Sequence, residues 1–301
     1  ATLAGAVEVK AGATLDGSAL AGGFSLASAQ LLGGSGTVIG DVTAGSGALI
    51  APGGVGAAGT LTFANNLTLN NGARLRCDLA ANDAPGGGTN DLIVVNGNLT
   101  LSGTITVDPA FLANLPASPG SYTLIRYTGA LSGNAANFAA VNAANRFTLT
   151  FDDTTPGEIR VQISGAPASL VWRGDGATNG WNLLAPTNWF DGASLVPFKS
   201  LDSVTFDNTG SVSPAVTLTN ALTPLAVAVN SSSSYTLSGS GRISGSASLT
   251  KLGTGTLTVS TANDFTGPVT ISAGVLKAGN AAALGATNSG TTVNAVRFEY
   301  L

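Results

Sequence analysis

Residues 249–285 read LTKLGTGTLTVSTANDFTGPVTISAGVLKAGNAAALG. Apolar residues alternate with threonine and serine in short runs such as TLTV at 256–259, and glycine, asparagine or aspartate separates the runs. A period of two places successive side chains on opposite faces of a β-strand, and the separating residue types favour turns. The stretch therefore predicts short strands joined by tight turns.

Variations on this pattern recur along the rest of the chain. They include GTLTFANNLTL at 59–69, GNLTLSGTITV at 97–107 and YTLSGSGRI at 235–243. No segment carries apolar residues at i, i+3, i+4 and i+7 over three turns, so helix is expected only in short alanine-rich pieces at 134–145 and 278–285. The predicted fold class is all-β.

The arrangement of the strand signals indicates which all-β architecture they build. They arrive at intervals of about 8–12 residues, and Asn-Gly hairpin turns do not separate them at each step. We predict a right-handed parallel β-solenoid, or β-helix, with irregular β and turn segments as caps. In such a fold each coil bonds to the next and stacks its inward Val, Leu, Ile and Ala side chains, while stacked Thr and Asn can form ladders.

Composition excludes several classes of protein. Only 9% of the 301 residues are charged, 41 are glycine, and the net charge is −4. So weakly charged a chain is not a solvated helical bundle, and its apolar runs distinguish it from a disordered one. It has no basic patch for nucleic acid and no run of about 18 apolar residues for a transmembrane helix.

A break at Gly165-Ala166-Pro167 divides the chain into two predicted domains. Residues 1–165 contain solenoid rungs and a closing β segment, and residues 166–301 contain a tryptophan-rich opening segment at 170–206 followed by further rungs. The tryptophans are Trp172, Trp181 and Trp189. Large aromatic side chains suit a capping segment that covers the end of a solenoid and blocks its unpaired edge. Exposed, coplanar indoles would instead form a ligand platform for sugars.

Catalytic chemistry finds little support in the residue types present. The chain contains no histidine, so Ser-His-Asp and Cys-His catalysis and His-based metal sites are excluded. Its one cysteine, Cys77, lies in the alternating run RLRCDL and is expected to point inward with Leu75 and Leu79. We predict no catalytic residue, no cofactor and no metal site.

Two carboxylate pairs are the best candidates for acid–base chemistry. Asp152 and Asp153 are adjacent, and Asp202 and Asp207 flank the strand-like SVTF. Aspartates beside strands commonly cap turns, and we adopt this interpretation over calcium binding.

Two short motifs suggest ligands but match loosely. GGGTNDLIV at 86–94 partly fits a calcium-binding nonapeptide, although Thr89 replaces a glycine and no tandem copy follows. Arg173-Gly174-Asp175 spells the integrin-binding tripeptide at a place where a glycine turn is expected. We interpret both as turns.

The stretch at 249–285 resembles the autotransporter-associated β-strand repeat, also called the passenger-associated transport repeat, of bacterial surface proteins. Its signature positions are Leu249, Thr250, Lys251, Gly253, Gly255, Thr256, Leu257, Asn263, Phe265, Thr266, Gly267 and Gly274. Phe265 stands where the family usually has tyrosine, and Pro268 stands where a glycine is common. Residues 171–206 are similar to the tryptophan-rich opening segment of these modules, and parts of 1–165 resemble their closing segment.

The resemblance implies a secreted or cell-surface β-solenoid with a structural or adhesive role and no enzymatic activity. A closing segment precedes an opening one, and GAVEVKAGATLDG at 5–17 shares its cadence with GTTVNAV at 290–296. We therefore hypothesise that copies join head to tail in a surface filament, or that neighbouring repeats of one polypeptide continue the stack if the chain is a fragment of a longer passenger stalk. A carbohydrate-binding or polysaccharide-degrading β-helix, with cell-surface glycans as partner, is the remaining alternative.

Overall fold

The computed structural model describes residues 5–80, 82–111, 120–141, 144–288, 290–294 and 297–300, and short β-strands dominate these ranges. The only helices within them are two 3₁₀ turns, Ala135–Asn137 and Asn208–Gly210. The alanine-rich pieces expected to be helical contribute the first of these turns and a turn at 281–284. Such pieces are too short to pay the cost of nucleating an α-helix.

The chain divides into two compact units. Unit 1 comprises residues 1–142 and 147–165, and unit 2 comprises residues 143–146 and 166–301. The strands of unit 1 are β1 Ala6–Val9, β2 Thr14–Asp16, β3 Phe24–Leu26, β4 Leu31–Gly34, β5 Thr37–Ile39, β6 Val42–Ala44, β7 Leu49–Pro52, β8 Thr60–Phe63, β9 Leu67–Leu69, β10 Arg74–Leu79, β11 Leu92–Val95, β12 Leu99–Leu101, β13 Ile105–Phe111, β14 Gly120–Tyr127, β15 Leu131–Ser132, β16 Phe138–Ala140, β17 Thr148–Asp152 and β18 Glu158–Ser164. Those of unit 2 are β19 Ser169–Trp172, β20 Gly180–Trp181, β21 Trp189–Phe190, β22 Leu195–Val196, β23 Ser203–Asp207, β24 Ala215–Leu218, β25 Ala221–Leu222, β26 Ala226–Asn230, β27 Tyr235–Ser238, β28 Arg242–Ile243, β29 Ser248–Leu252, β30 Thr256–Val259, β31 Val269–Ile271, β32 Val275–Ala278, β33 Thr291–Val293 and β34 Arg297–Tyr300.

Successive strands of unit 1 belong in turn to three different sheets. The parallel sheet orders are β1-β4-β7-β10-β13-β16, β2-β5-β8-β11-β14 and β3-β6-β9-β12-β15. Each strand pairs with the equivalent strand one coil later, as β1 does with β4 and β4 with β7. This winding is that of a parallel β-solenoid, so the predicted fold class is confirmed. The hand of the winding stays a prediction.

Unit 2 winds in the same manner with sheets of unequal size. Its largest sheet has the order β22-β21-β19-β23-β26-β29-β31-β33, beside a six-stranded sheet β20-β24-β27-β30-β32-β34 and the pair β25-β28. From β19 to β33 in this sheet order, neighbouring strands pair in parallel. Strands β21 and β22 extend the sheet beyond β19 with antiparallel pairing. Of the segment at 290–296, strand β33 is described, and residues 295–296 lie outside the described residues.

Apolar side chains form columns inside both units. One column in unit 1 runs through Phe24, Val42, Leu67, Leu99 and Leu131. A column in unit 2 runs through Leu170, Val204, Val227, Leu249 and Val269. All but Leu131 are buried. Each column continues because the alternation of the strands puts the same face inward in every coil.

Asparagine side chains form the expected ladder at one corner of unit 1. The side-chain oxygen of Asn66 accepts the backbone N–H of Asn98 at 2.8 Å, and that of Asn98 accepts the N–H of Ala130 at 2.8 Å. Steps of this ladder span 32 residues, whereas the step from Asp41 to Asn66 spans 25. Coil length therefore varies, because loops of different size leave each coil without disturbing the strand register.

A hairpin departs from the parallel winding at the end of unit 1. Strands β17 and β18 pair antiparallel with each other, and β18 pairs antiparallel with β14. The short turn between them allows only this direction. Phe147, Leu149 and Phe151 pack against the core, with the ring of Phe151 centred 5.7 Å from that of Phe138. The hairpin thus adds apolar cover to the last coil.

Candidate functional site

Lys251 occupies a core-facing position in the repeat. It lies two residues after Leu249 on β29, in phase with that buried leucine, and its side chain is 1% exposed. Val229 on β26 and Ile271 on β31 are its register partners in the adjacent coils. A lysine therefore replaces one member of an aliphatic column, which needs a specific arrangement of acceptors around its ammonium group.

Three backbone carbonyls supply those acceptors. The Nζ atom of Lys251 donates to the carbonyl oxygens of Leu252 at 2.5 Å, Gly253 at 2.8 Å and Ala273 at 3.2 Å. All three N–H donors of the ammonium group are thereby used. Desolvation by burial lowers the pKa of Lys251, and no carboxylate pairs with it among the described residues. Since Ala273 belongs to the next coil, this side chain links two coils from inside.

The glycines of the signature make room for this arrangement. Gly274 has a φ of +70°, and a Cβ atom there would lie 2.5 Å from the carbonyl oxygen of Gly253 and 2.8 Å from Nζ of Lys251. Gly253 has a φ of +65°, a conformation that side chains other than glycine's disfavour. Gly255 and Gly267 lie directly against backbone carbonyls of the preceding coil. A side chain at any of these positions would push coils apart.

Asn263 links three coils through its amide. Its oxygen accepts the backbone N–H of Ile243 at 2.9 Å and the Thr261 hydroxyl at 3.0 Å, and its nitrogen donates to the carbonyl of Ala283 at 2.7 Å. Ile243 and Ala283 lie 20 residues before and after it, one coil to each side. The side chain is 4% exposed, so these bonds are made in a low-dielectric setting where an unpaired partner would be costly.

The remaining signature residues serve packing or face outward. Leu257 and Phe265 are buried in the core of unit 2. Because the Phe265 ring is 1% exposed, phenylalanine fills this position without needing a hydroxyl partner. Thr250 and Thr256 are half-buried on the outer face, and exposed Thr266 donates its backbone N–H to the carbonyl of Gly245.

The three tryptophans are fully enclosed. Trp172, Trp181 and Trp189 are each 0% exposed, and the ring of Trp189 makes edge contacts with Trp172 at 5.0 Å and Trp181 at 5.2 Å between centroids. Phe206 contacts all three rings, and Trp172 donates its indole N–H to the carbonyl of Ser213 at 2.9 Å. These indoles present no face to a sugar and do not form a platform. Their role in capping stays a prediction.

The two candidate carboxylate pairs do not come together as acid–base pairs. Asp152 accepts from Gln162 and from Thr154, and the Gln162 bond is the largest cause of its lowered pKa. Asp153 instead accepts the N–H of Ala135. The first pair therefore organises turns and strand ends.

Asp202 has a different role from turn capping alone. It is 0% exposed and accepts Arg146 Nε at 2.6 Å and Nη2 at 2.9 Å, together with the backbone N–H groups of Ala168 and Lys199. Asp207, by contrast, caps the 3₁₀ turn through the N–H of Thr209. Asp202 and Arg146 thus form a structural ion pair within unit 2. The sequence did not reveal this pair because the two residues lie 56 positions apart.

The tripeptide at 173–175 is used within its own loop. The Asp175 carboxylate accepts from the N–H groups of Asn179 and Ala177 and from the Thr178 hydroxyl, and these bonds lower its pKa to about 2. The Arg173 guanidinium lies 5.1 Å from the Phe190 ring centroid. The loop is therefore a closed turn, as interpreted from the sequence.

The partial calcium motif contains Asn90 and Asp91, which are both 1% exposed. Asn90 accepts from the N–H of Ala80 and donates to the carbonyls of Asn82 and Ala84, so it fixes the local loop. Asp91 accepts from the N–H groups of Gly59 and Asp78. Within the described residues no three His, Cys, Asp or Glu side chains are placed to share a metal ion.

This geometry defines the class of protein: a parallel β-solenoid whose coils are joined by inward-facing polar side chains. Residues 249–278 match the family model of the passenger-associated-transport-repeat. The chain carries such a repeat, as the sequence predicted.

The wider chain is similar to part of a known adhesin. It is 32% identical over 281 residues to the adhesin BmaC autotransporter of Brucella suis biovar 1 (strain 1330), a match that spans 80% of this chain and 8% of the adhesin. No solved structure matches the chain. Among the described residues, no helix is long and apolar enough to cross a membrane.

Proposed function

We propose that this chain is a structural segment of an autotransporter passenger, which maintains a stiff stack of coils outside the bacterial cell. The observation that carries the proposal is the pair of inward polar side chains, Lys251 and Asn263, that link successive coils at the matched repeat. Such side chains stabilise the stack along its length. The similarity to an adhesin supports a surface location and a role in adhesion.

The proposal can be tested directly by asking whether this segment is exposed on the surface of the bacterial cell. A protease site inserted at Gly87 and Gly88, which are exposed and have open space around them, should be cut on intact cells that express the whole polypeptide carrying this segment. A cytoplasmic marker protein should stay intact in the same sample. Cutting that requires cell lysis would contradict the proposal.

The stack has two possible continuations, and we favour neighbouring coils of the same polypeptide. In either case we expect the partner to pair with strands such as β1 or β33, which stand at the ends of their sheet orders. Electron microscopy of the purified chain over a range of concentrations separates the alternatives. Isolated rods support continuation within one polypeptide, whereas long fibres of uniform width would show that copies join head to tail.

A further inference from the structure

A buried carboxyl cluster lies under a glycine-rich loop of unit 1. Asp78 on β10 is 0% exposed, and Asp91 just before β11 is 1% exposed. The loop at 53–59 donates to both: the N–H of Gly56 bonds to Asp78 at 2.7 Å, and the N–H of Gly59 bonds to Asp91 at 2.8 Å. The second oxygen of Asp91 accepts the backbone N–H of Asp78 at 2.8 Å.

The charges around this cluster do not balance. Arg76 is the cation that faces it, with Nε 3.4 Å from Asp78 and Nη1 3.1 Å from Asp108. Cys77 on the same strand is buried and, when protonated, adds no charge. Glu8 lies beside the loop near Gly54 but is paired with Lys10 at 2.5 Å.

The cluster therefore contains three carboxyl groups, those of Asp78, Asp91 and Asp108, and one guanidinium, which contacts Asp78 and Asp108. Two of them, Asp78 and Asp91, have almost no contact with water. Ionising every member would leave excess negative charge in a medium that solvates it poorly. The group farthest from compensation is Asp91, because the arginine contacts are to Asp78 and Asp108.

We propose that this cluster holds one proton at neutral pH, on Asp91, and acts as a proton-dependent clasp that fastens the 53–59 loop to the body of unit 1. Loss of the proton favours an opened loop, in which water reaches the carboxylates. The clasp closes in acid and loosens in mild alkali. This property is independent of the function proposed above.

The expected titration of Asp91 agrees with the geometry. Desolvation by burial is the largest cause that raises the pKa of Asp91, and the neighbouring Asp78 charge adds to it; against the opposing effect of two backbone N–H donors and Arg76, the pKa rises from 3.8 to about 8. A carboxyl group with a raised folded-state pKa gives its full stabilisation below the unfolded value and loses it as pH rises through the folded value. The free energy of unfolding of unit 1 should therefore fall as the pH rises from about 4 to about 8.

The chain offers a separate reporter for each unit. Cys77, the sole cysteine, is buried in unit 1 and becomes reactive to thiol reagents only when that unit opens. The three tryptophans all belong to unit 2 and report on it by fluorescence. Urea unfolding of the full chain can be sampled with a short labelling pulse at one fixed pH, so that thiol chemistry does not vary between samples.

We expect the folding equilibrium constant of unit 1 to fall by up to about tenfold per pH unit in this window, equivalent to one proton released on unfolding. Asp91→Asn should abolish the slope, and Asp83→Asn, at an exposed position in the connection between β10 and β11, should preserve it. Asp78→Asn should lower the upper end of the window, because removing the neighbouring charge lowers the folded-state pKa of Asp91. A wild-type profile that is flat or rises, or a slope that persists in Asp91→Asn, overturns the proposal. If Asp91→Asn does not fold, the wild-type and Asp78→Asn profiles decide.

Discussion

Replacing Lys251 by methionine removes an ammonium group from the core and keeps a side chain of similar length. Three charge-assisted hydrogen bonds disappear, to carbonyls at 2.5, 2.8 and 3.2 Å. Each such bond contributes about 1.5–3 kcal/mol, and relief of the cost of burying the charge returns several kcal/mol. We expect a net loss of about 2–3 kcal/mol in the free energy of unfolding of unit 2, since the carbonyls are left without these donors.

Urea unfolding followed by tryptophan fluorescence measures this loss, because all three tryptophans lie in unit 2. Lys277→Met is the matched control: it makes the same change three strands further along the chain, on β32, where the half-buried lysine lies on the outer face between buried Leu276 and Ala278. This variant should cost less than Lys251→Met, because it takes a lysine from the outer face and leaves the three carbonyl contacts of Lys251 in place. If Lys251→Met were as stable as the wild type, the carbonyl contacts would contribute nothing net and our account of the repeat would be refuted.

Three further variants test other contacts of unit 2 with the same assay. Asn263→Ala should cost about 2–4 kcal/mol, because it leaves a backbone N–H and a carbonyl unpaired in two neighbouring coils; stability unchanged within error would contradict this. Gly274→Ala should destabilise by more than about 1 kcal/mol through its positive φ and close carbonyls, while Gly290→Ala, with nothing within 4 Å, should be neutral. Arg146→Met should cost about 3–5 kcal/mol by leaving Asp202 buried without its cation, and a loss below about 1 kcal/mol would show that the ion pair is solvated.

The solenoid could be predicted from the sequence because each core position requires only an apolar side chain and no particular residue. An inward column such as Leu170, Val204, Val227 and Leu249 needs only an aliphatic side chain at alternate positions. The length of each coil could not be read in the same way. Loops such as 53–59 leave the stack and return without changing the register, so the sequence shows no fixed period.

The candidate site was only partly predictable for a related reason. Alternation with Leu249 indicates that Lys251 points inward, yet its acceptor on Ala273 lies 22 residues away, and that separation becomes a contact only once the coil length is known. The burial of the tryptophans likewise depends on Phe198 and Phe206, which reach them through the fold. The sequence alone therefore did not distinguish a capping segment from a sugar-binding platform of exposed indoles. The burial of the three indoles excludes the platform.

The contacts of the repeat also determine how its stability depends on its neighbours. Asn263 needs an N–H from the coil before it and a carbonyl from the coil after it, and Lys251 needs a carbonyl from the following coil. A single isolated repeat would leave these buried polar groups unpaired, at a cost of about 1–3 kcal/mol each. The stability of a stack is then approximately a sum over adjacent coils. Stacks that contain this repeat can gain or lose coils elsewhere without losing it, provided that its two neighbouring coils remain.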